Sequence, residues 1–337
     1  MAHLTTDYLG LKLKNPFIVG ACNLTLDPDT AKRMEDAGAA AIVFKSLFEE
    51  QINLESLQME EELSEYAERN AEMINLFPNL KHAGPEEHLD KLAHLKKSLD
   101  IPVIGSLNCV YPETWSEYAV EMEKTGVDAL ELNFYASPGD FDRSAGDIEK
   151  EQLDILKDVL GKVKIPISVK ISPFYSNTLH LIRQMDKIGV SGYVLFNKLF
   201  QPDLNIQTQD FDFPFNLSAP SDYRLPLRYA GILFGQVKGS ICANRGVYSG
   251  EDMVKLILAG ADAVQVVSAI YKHKVPQITK MLEDVESWMT KAGFASVKDF
   301  KGNLSKANAS DPYAYQRAQY VDLLMKPFDL MKKYPQV

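Results

Sequence analysis

Two lysines stand inside apolar runs, Lys170 in PISVKIS and Lys45 in AIVFKSL. An ammonium taken out of water without a partner is costly, so each must be paired or put to use. Side-chain amides end three similar runs: Asn108 in VIGSLN, Asn133 in ALELN and Asn197 in YVLFN. Inward lysines beside amides suit two chemistries. A desolvated lysine attacks a carbonyl to give a Schiff base. Alternatively, a cation near N1 and the C2 carbonyl of a flavin stabilises its reduced form while amides read the pyrimidine edge. Any one of these asparagines also has a plainer reading, as a turn former.

The elements that must position these residues repeat. MEDAGAAAIVFKS (34–46), MEKTGVDALELNF (122–134), MDKIGVSGYVLFN (185–197) and LAGADAVQVVS (258–268) each read as a helix end, a capping glycine and an apolar strand. Between them lie LDIPVIGSLNC (99–109), VKIPISVKISP (163–173) and VKGSICANRG (237–246). With a first strand at Asn15–Cys22 the pattern predicts eight strands. Helices are expected at about 28–37, 86–99, 113–125, 147–162, 177–188, 225–236, 249–259 and 275–291. Near-continuous apolar strands belong to a parallel sheet covered on both faces, so the expected fold is a (β/α)8 TIM barrel. An open doubly wound sheet is the rival, but no GxGxxG follows the first strand.

Two stretches interrupt the repeat, residues 47–85 after the second strand and 199–224 after the sixth. Both should lie over the carboxyl ends of the strands, where barrel active sites are built, and Asp203 and Asn205 of the second are candidates to reach a substrate. The acidic run MEEELSEYAE reads as a solvated helix face. The whole chain is expected to form one barrel domain, at about 15–291, with a helical extension over 292–337.

A net charge of −10 with scattered Lys and Arg argues against nucleic acid or an anionic membrane as partner. Without an apolar run of about 18 residues, a cytoplasmic protein is expected. Cys22, Cys109 and Cys242 are too few and too dispersed for a disulfide framework or a zinc cluster, and no metal is expected. Each thiol is more simply a small buried residue than a nucleophile. In a barrel the loops after strands seven and eight cradle phosphate. That gives the backbone of Asn244, Arg245 and Gly246, and of Val267 to Ala269, a role at the tail of a mononucleotide, helped by the Ser268 hydroxyl.

Taken in order, NPFIVGA after an LGLKLKNP hairpin, FKS at strand two, a Pro–Asn loop, LN at strand four, VKISP at strand five, FN at strand six, an NRG turn and VQVVSA resemble the dihydroorotate dehydrogenases over residues 5–275. The resemblance implies an FMN-bound barrel that oxidises a dihydropyrimidine, nearer the soluble class. That class uses fumarate, or NAD through an electron-transfer flavoprotein subunit, and a homodimer is in keeping with the family. On the flavin it places Ala21, Lys45, Ser46, Asn108, Asn133, Lys170, Asn244, Arg245, Gly246, Val267 and Ser268. Arg245–Gly246 stands where the family has Gly–Gly and Val267–Ser268 where it has Gly–Thr; an arginine there can add a bidentate phosphate contact.

On the substrate the resemblance places Asn75, Phe77, Asn79, Asn133 and Asn197. The family motif Asn-Ser-Met-Gly-Leu-Pro-Asn is Met-Ile-Asn-Leu-Phe-Pro-Asn here (73–79), so Asn75 substitutes for a leading asparagine that has become Met73. The catalytic loop departs further. Where the family reads Asn-x-Ser-Cys/Ser-Pro-Asn, this chain has Asn-Phe-Tyr-Ala-Ser-Pro-Gly (133–139). Aligned without a gap, the base position holds Ala136; with one inserted residue it holds Ser137. Ser137 is therefore the expected base for the C5 proton, with Lys170 its catalytic companion at the flavin. The alternative function is a flavin-binding relative that acts on another cyclic amide or is inactive.

Overall fold

The computed structural model describes residues 3–50, 52, 85–134, 141–198, 202–212, 217–315, 321 and 325. Eight strands form its centre: β1 Phe17–Val19, β2 Ala41–Val43, β3 Val103–Asn108, β4 Ala129–Phe134, β5 Ile167–Ile171, β6 Gly192–Leu195, β7 Ser240–Ala243 and β8 Ala263–Val266. Each pairs in parallel with the next, and β8 pairs with β1, so the sheet closes into a (β/α)8 barrel. The expected fold is the observed one.

The outer helices are α1 Pro28–Asp36, α2 Glu86–Ser98, α3 Pro112–Lys124, α4 Ala145–Lys162, α5 Thr178–Ile188, α6 Arg224–Leu233 and α7 Gly250–Ala259, then a short α8 Ser268–His273 and α9 Gln277–Ala292. Local chemistry sets their ends. The side chains of Asp27, Ser144, Asn177 and Ser249 accept from backbone N–H groups of the first turns of α1, α4, α5 and α7. The glycines of the repeated motif, Gly38, Gly126, Gly189 and Gly260, all take positive φ, between 85° and 131°, at the helix-to-strand turn.

Alternation along the strands makes two cores. Outward residues such as Phe17, Ile42, Leu130, Val169 and Val264 pack under the helices. Inward residues Ile18, Val43, Ile104, Ala129, Val194, Cys242 and Ala263 fill the lower barrel, where Tyr8, Leu9 and Leu13 plug the open end. Those three come from the N-terminal hairpin Thr6–Tyr8 with Leu11–Leu13. Carboxylates tie down backbone N–H groups where strands begin: Asp128 accepts from Val103 at 2.7 Å, Asp262 from Ile241 at 2.7 Å and Glu123 from Lys164 at 2.6 Å.

Three elements were not expected from the sequence: α8, a two-residue strand Leu47–Phe48 against β3, and a hairpin pairing Asp203–Asn205 with Asp210–Asp212. Asp203 and Asn205, the candidates to reach a substrate, are exposed in this hairpin, and their side chains accept from the Leu204, Gln207 and Thr208 N–H groups close by.

Candidate functional site

Above the apolar plug the inward positions turn polar. β4 supplies Glu131 and Asn133, β5 supplies Ser168 and Lys170, and β8 supplies Gln265. Asn133 and Lys170 are register partners. Asn197, just past β6, donates from Nδ2 to Asn133 Oδ1 at 2.5 Å and to the Lys170 carbonyl at 3.3 Å. The expected lysine and two of the expected amides therefore meet across three adjoining strands.

A cavity of about 320 Å³ opens beside them. The ends of β1 and β5 contribute Ala21, Cys22 and Lys170 to it, and the segment after β6 contributes Asn197 and Lys198. The opposite wall is the Asn244, Arg245 and Gly246 turn together with Gln265, Val267 and Ser268. Arg245 and Gly246 have φ of 80° and 63°, which folds the chain tightly at the end of β7. Ser268 Oγ accepts from Ser218 N–H at 3.0 Å, and the Lys198 ammonium donates to the Leu217 carbonyl at 2.6 Å, so the returning end of the second insertion closes over this wall. Burial depresses the Arg245 guanidinium below its ordinary pKa, opposed by Asp222, and its buried Nε has no partner among the described residues.

Four expected flavin residues, Asn133, Lys45, Ser46 and Asn108, are not among the residues that line that cavity. Asn133 reaches it through Asn197. Lys45 follows β2, with its backbone N–H held by Thr25 Oγ1 at 2.9 Å. The buried Ser46 hydroxyl is 2.7 Å from that of Ser106. Asn108, also buried, pairs in register with Phe48; the loop after it is fixed by Glu49, whose Oε2 accepts from Val110 and Tyr111 N–H groups and the Thr114 hydroxyl. Ser137, Asn75, Phe77 and Asn79, together with Tyr135 and Ala136, lie outside the described residues.

Besides Ser168, whose hydroxyl donates to the Leu130 carbonyl, two residues of the polar layer were missed, Glu131 and Gln265. Glu131 is buried, 3.3 Å from the Lys170 ammonium and 2.5 Å from Gln265 Nε2. Both interrupt apolar runs, ALELN and AVQVV, at inward positions, the same signal that singled out Lys170. Cys109 and Cys242 are buried thiols as expected, raised in pKa by that burial, whereas Cys22 is only partly buried at the cavity wall, its thiol pushed up to about 11 chiefly by the same cause. All three are free, and no cluster able to hold a metal occurs among the described residues.

The family model described as dihydroorotate dehydrogenase matches residues 3–289. The chain belongs to the dihydroorotate dehydrogenase family. Its relatives include the dihydroorotate dehydrogenase B (NAD(+)) catalytic subunit of Thermoplasma volcanium, 27% identical over 307 residues, covering 90% of this chain and 98% of that protein. The corresponding subunit of Methanocaldococcus jannaschii is 24% identical over 302 residues, 85% of this chain and 93% of its own length. The chloroplastic dihydropyrimidine dehydrogenase (NADP(+)) of Arabidopsis thaliana is 24% identical over 336 residues, 89% of this chain and 76% of its own. Dihydroorotate dehydrogenases are flavin-dependent oxidoreductases acting on CH–CH bonds, which agrees with the flavin alternative raised by the lysines. Lys170 lies 3.3 Å from the Glu131 carboxylate, the partner that its burial calls for.

Proposed function

We propose that this chain oxidises dihydroorotate to orotate, the CH–CH oxidation of pyrimidine biosynthesis, with FMN as its flavin. The observation that carries the reading is the junction of Lys170, Asn133 and Asn197 beside a cavity walled by the Arg245–Gly246 turn. The residues present fit a flavin mononucleotide. The buried Nε of Arg245 is a donor in want of an anion, and the backbone of Gly246 and Ser268 borders the same space. Bound there, FMN supplies the two-electron acceptor.

Arg245, Gly246, Val267 and Ser268 would hold the FMN phosphate, and Ala21, Asn244, Lys170, Lys45, Ser46 and Asn108 would hold its ring. Lys170 would place a positive charge beside the ring, which favours the reduced form of such a group. Asn133 and Asn197, locked to each other, present one donor–acceptor pair to the dihydropyrimidine. Asn75, Phe77 and Asn79 complete the substrate's surroundings, and Ser137 takes the C5 proton. An electron-transfer flavoprotein subunit would be the partner that carries the electrons onward, in keeping with relatives named as catalytic subunits. The protein works in the cytoplasm as a homodimer; among the described residues no helix is long and apolar enough to cross a membrane.

Anaerobic addition of dihydroorotate to the purified protein tests this directly. Bleaching of the flavin bands is expected, and Ser137→Ala should slow it by 10²-fold or more. A colourless protein that releases no FMN on denaturation overturns the reading. The dihydropyrimidine dehydrogenase relative and the altered 73–79 and 133–139 stretches favour one second reading, a flavin enzyme for another cyclic amide. Bleaching by dihydrouracil but not by dihydroorotate would select it.

A further inference from the structure

Glu131 sits midway along β4 with its side chain 1% exposed. One carboxylate oxygen lies 3.3 Å from the Lys170 ammonium, and the other receives the Gln265 side-chain N–H at 2.5 Å. Beneath it stand Tyr8 and Cys242, both raised in pKa chiefly by burial, with the Glu131 charge adding to the effect. An ionised carboxylate only accepts hydrogen bonds, so it dictates which end of the Gln265 amide faces it. The NH₂ turns to Glu131 and the carbonyl oxygen is turned away.

That oxygen is buried and has no hydrogen-bond partner among the described residues, although Gln265 borders the cavity. A buried acceptor left unmade costs free energy, and such an orphan in a folded protein calls for a reason. Space is kept open beside it. A Cβ added at Gly20, at the end of β1, would lie 3.3 Å from Gln265 Oε1 and 2.8 Å from Val267 Cγ2. The glycine thus keeps a side chain off this buried acceptor, next in sequence to Ala21 and Cys22, which line the cavity with Gln265.

We propose that Gln265 is a flavin-binding residue, its side-chain carbonyl accepting the ring N3–H, and that Glu131 is the positioning residue which turns it there. The inference rests on the flavin reading above and deepens it. Glu131 then acts on both neighbours at once. It holds a cation, Lys170, and sets a carbonyl acceptor, Gln265, beside it. A C=O next to an N–H, the edge that a cyclic ureide such as the flavin pyrimidine presents, is complementary to that pair. Neither residue need change its hydrogen bond to Glu131 to receive it.

The test compares FMN with 3-methyl-FMN, which lacks the N3–H, by fluorescence titration of apoprotein. The wild type should bind FMN at least tenfold more tightly than the methylated analogue. Gln265→Leu and the more flexible Gln265→Met should bring the two affinities within threefold, chiefly by weakening FMN. Glu131→Gln should narrow the ratio as well, because an amide at 131 can donate to the Gln265 oxygen and draw it back. Wild-type protein that binds both flavins equally overturns the proposal while leaving the flavin reading intact. So does a ratio unchanged in the folded Gln265 variants, the result expected if Gln265 only supports the barrel. Apoprotein that binds neither flavin overturns both readings.

Discussion

Asn197 Nδ2 lies 2.5 Å from Asn133 Oδ1, joining the ends of β6 and β4 over the Lys170 carbonyl. This bond fixes more than a distance. With its oxygen committed, Asn133 keeps its NH₂ to offer, and with its NH₂ shared between Asn133 and the Lys170 carbonyl, Asn197 keeps its side-chain carbonyl. The pair behaves as one recognition element. Replacing either by Ala should lower kcat/KM for the substrate about 10- to 100-fold. The double variant should lose much less than the product of the two, with a coupling of ~1–2 kcal/mol, because the first substitution already frees the second amide. Steady-state kinetics on the three variants checks this; strict additivity would mean that the amides act separately.

Arg245 adopts φ 80°, and its half-buried guanidinium has an Nε that is unsatisfied among the described residues. A non-glycine residue in this region is strained, and a desolvated cation adds to the cost. A phosphate would offset both with charge-assisted hydrogen bonds of ~1.5–3 kcal/mol. Arg245→Ala should therefore weaken FMN about 10- to 150-fold but leave riboflavin, which lacks the phosphate, within threefold. Equal losses for the two flavins would remove Arg245 from the phosphate site.

The barrel was legible because its signal is repeated. Four of its units place a glycine at the helix end and an apolar strand after it, and those four glycines do take positive φ. Lys170 was legible because one cation in an apolar strand is conspicuous. Glu131 and Gln265 carry the same signal at the same depth, yet beside Asn133 and Ser268 they read as ordinary strand composition. Only closure of the sheet brings β8 against β4 across the interior and reveals them as Lys170's neighbours. The hairpin at 203–212 had no inward face and hence no alternation to detect, since all six strand residues are exposed. Helix α8 is six residues long, too short for a periodic pattern. The loop thought to hold the base, 135–140, lies outside the described residues.

Gly246 has φ 63°, and a side chain there would run into the Ala219 carbonyl and come within 2.8 Å of Tyr223 N. The left-handed conformation alone costs an L-residue about 1–2 kcal/mol, and the backbone obstacles cannot swing aside as a flexible side chain would. Gly246→Ala should destabilise the protein by ~2–4 kcal/mol in urea unfolding. It should also weaken FMN, because the segment from 217 to 223 must shift off the turn. Full stability in this variant would show that the turn relaxes without cost.

His88, near the start of α2, packs edge-on to Phe44 at 5.0 Å, and its Nε2 is buried without a partner among the described residues. Burial, with the positive charges of Lys45 and Lys91 adding to it, lowers its pKa from 6.5 to about 4. The folded protein thus keeps this imidazole neutral where the unfolded chain protonates it. Between pH 6.5 and 4 the unfolded state binds more protons, so stability must fall as the pH is lowered through that window. A shift of this size corresponds to at most ~3 kcal/mol. His88→Gln, which cannot protonate, should lose little of its stability between pH 7 and pH 5 compared with the wild type. Urea unfolding of both proteins at the two pH values gives the comparison. The wild type should lose about 2 kcal/mol more than the variant, and parallel curves would mean that His88 finds water or an acid in the folded state.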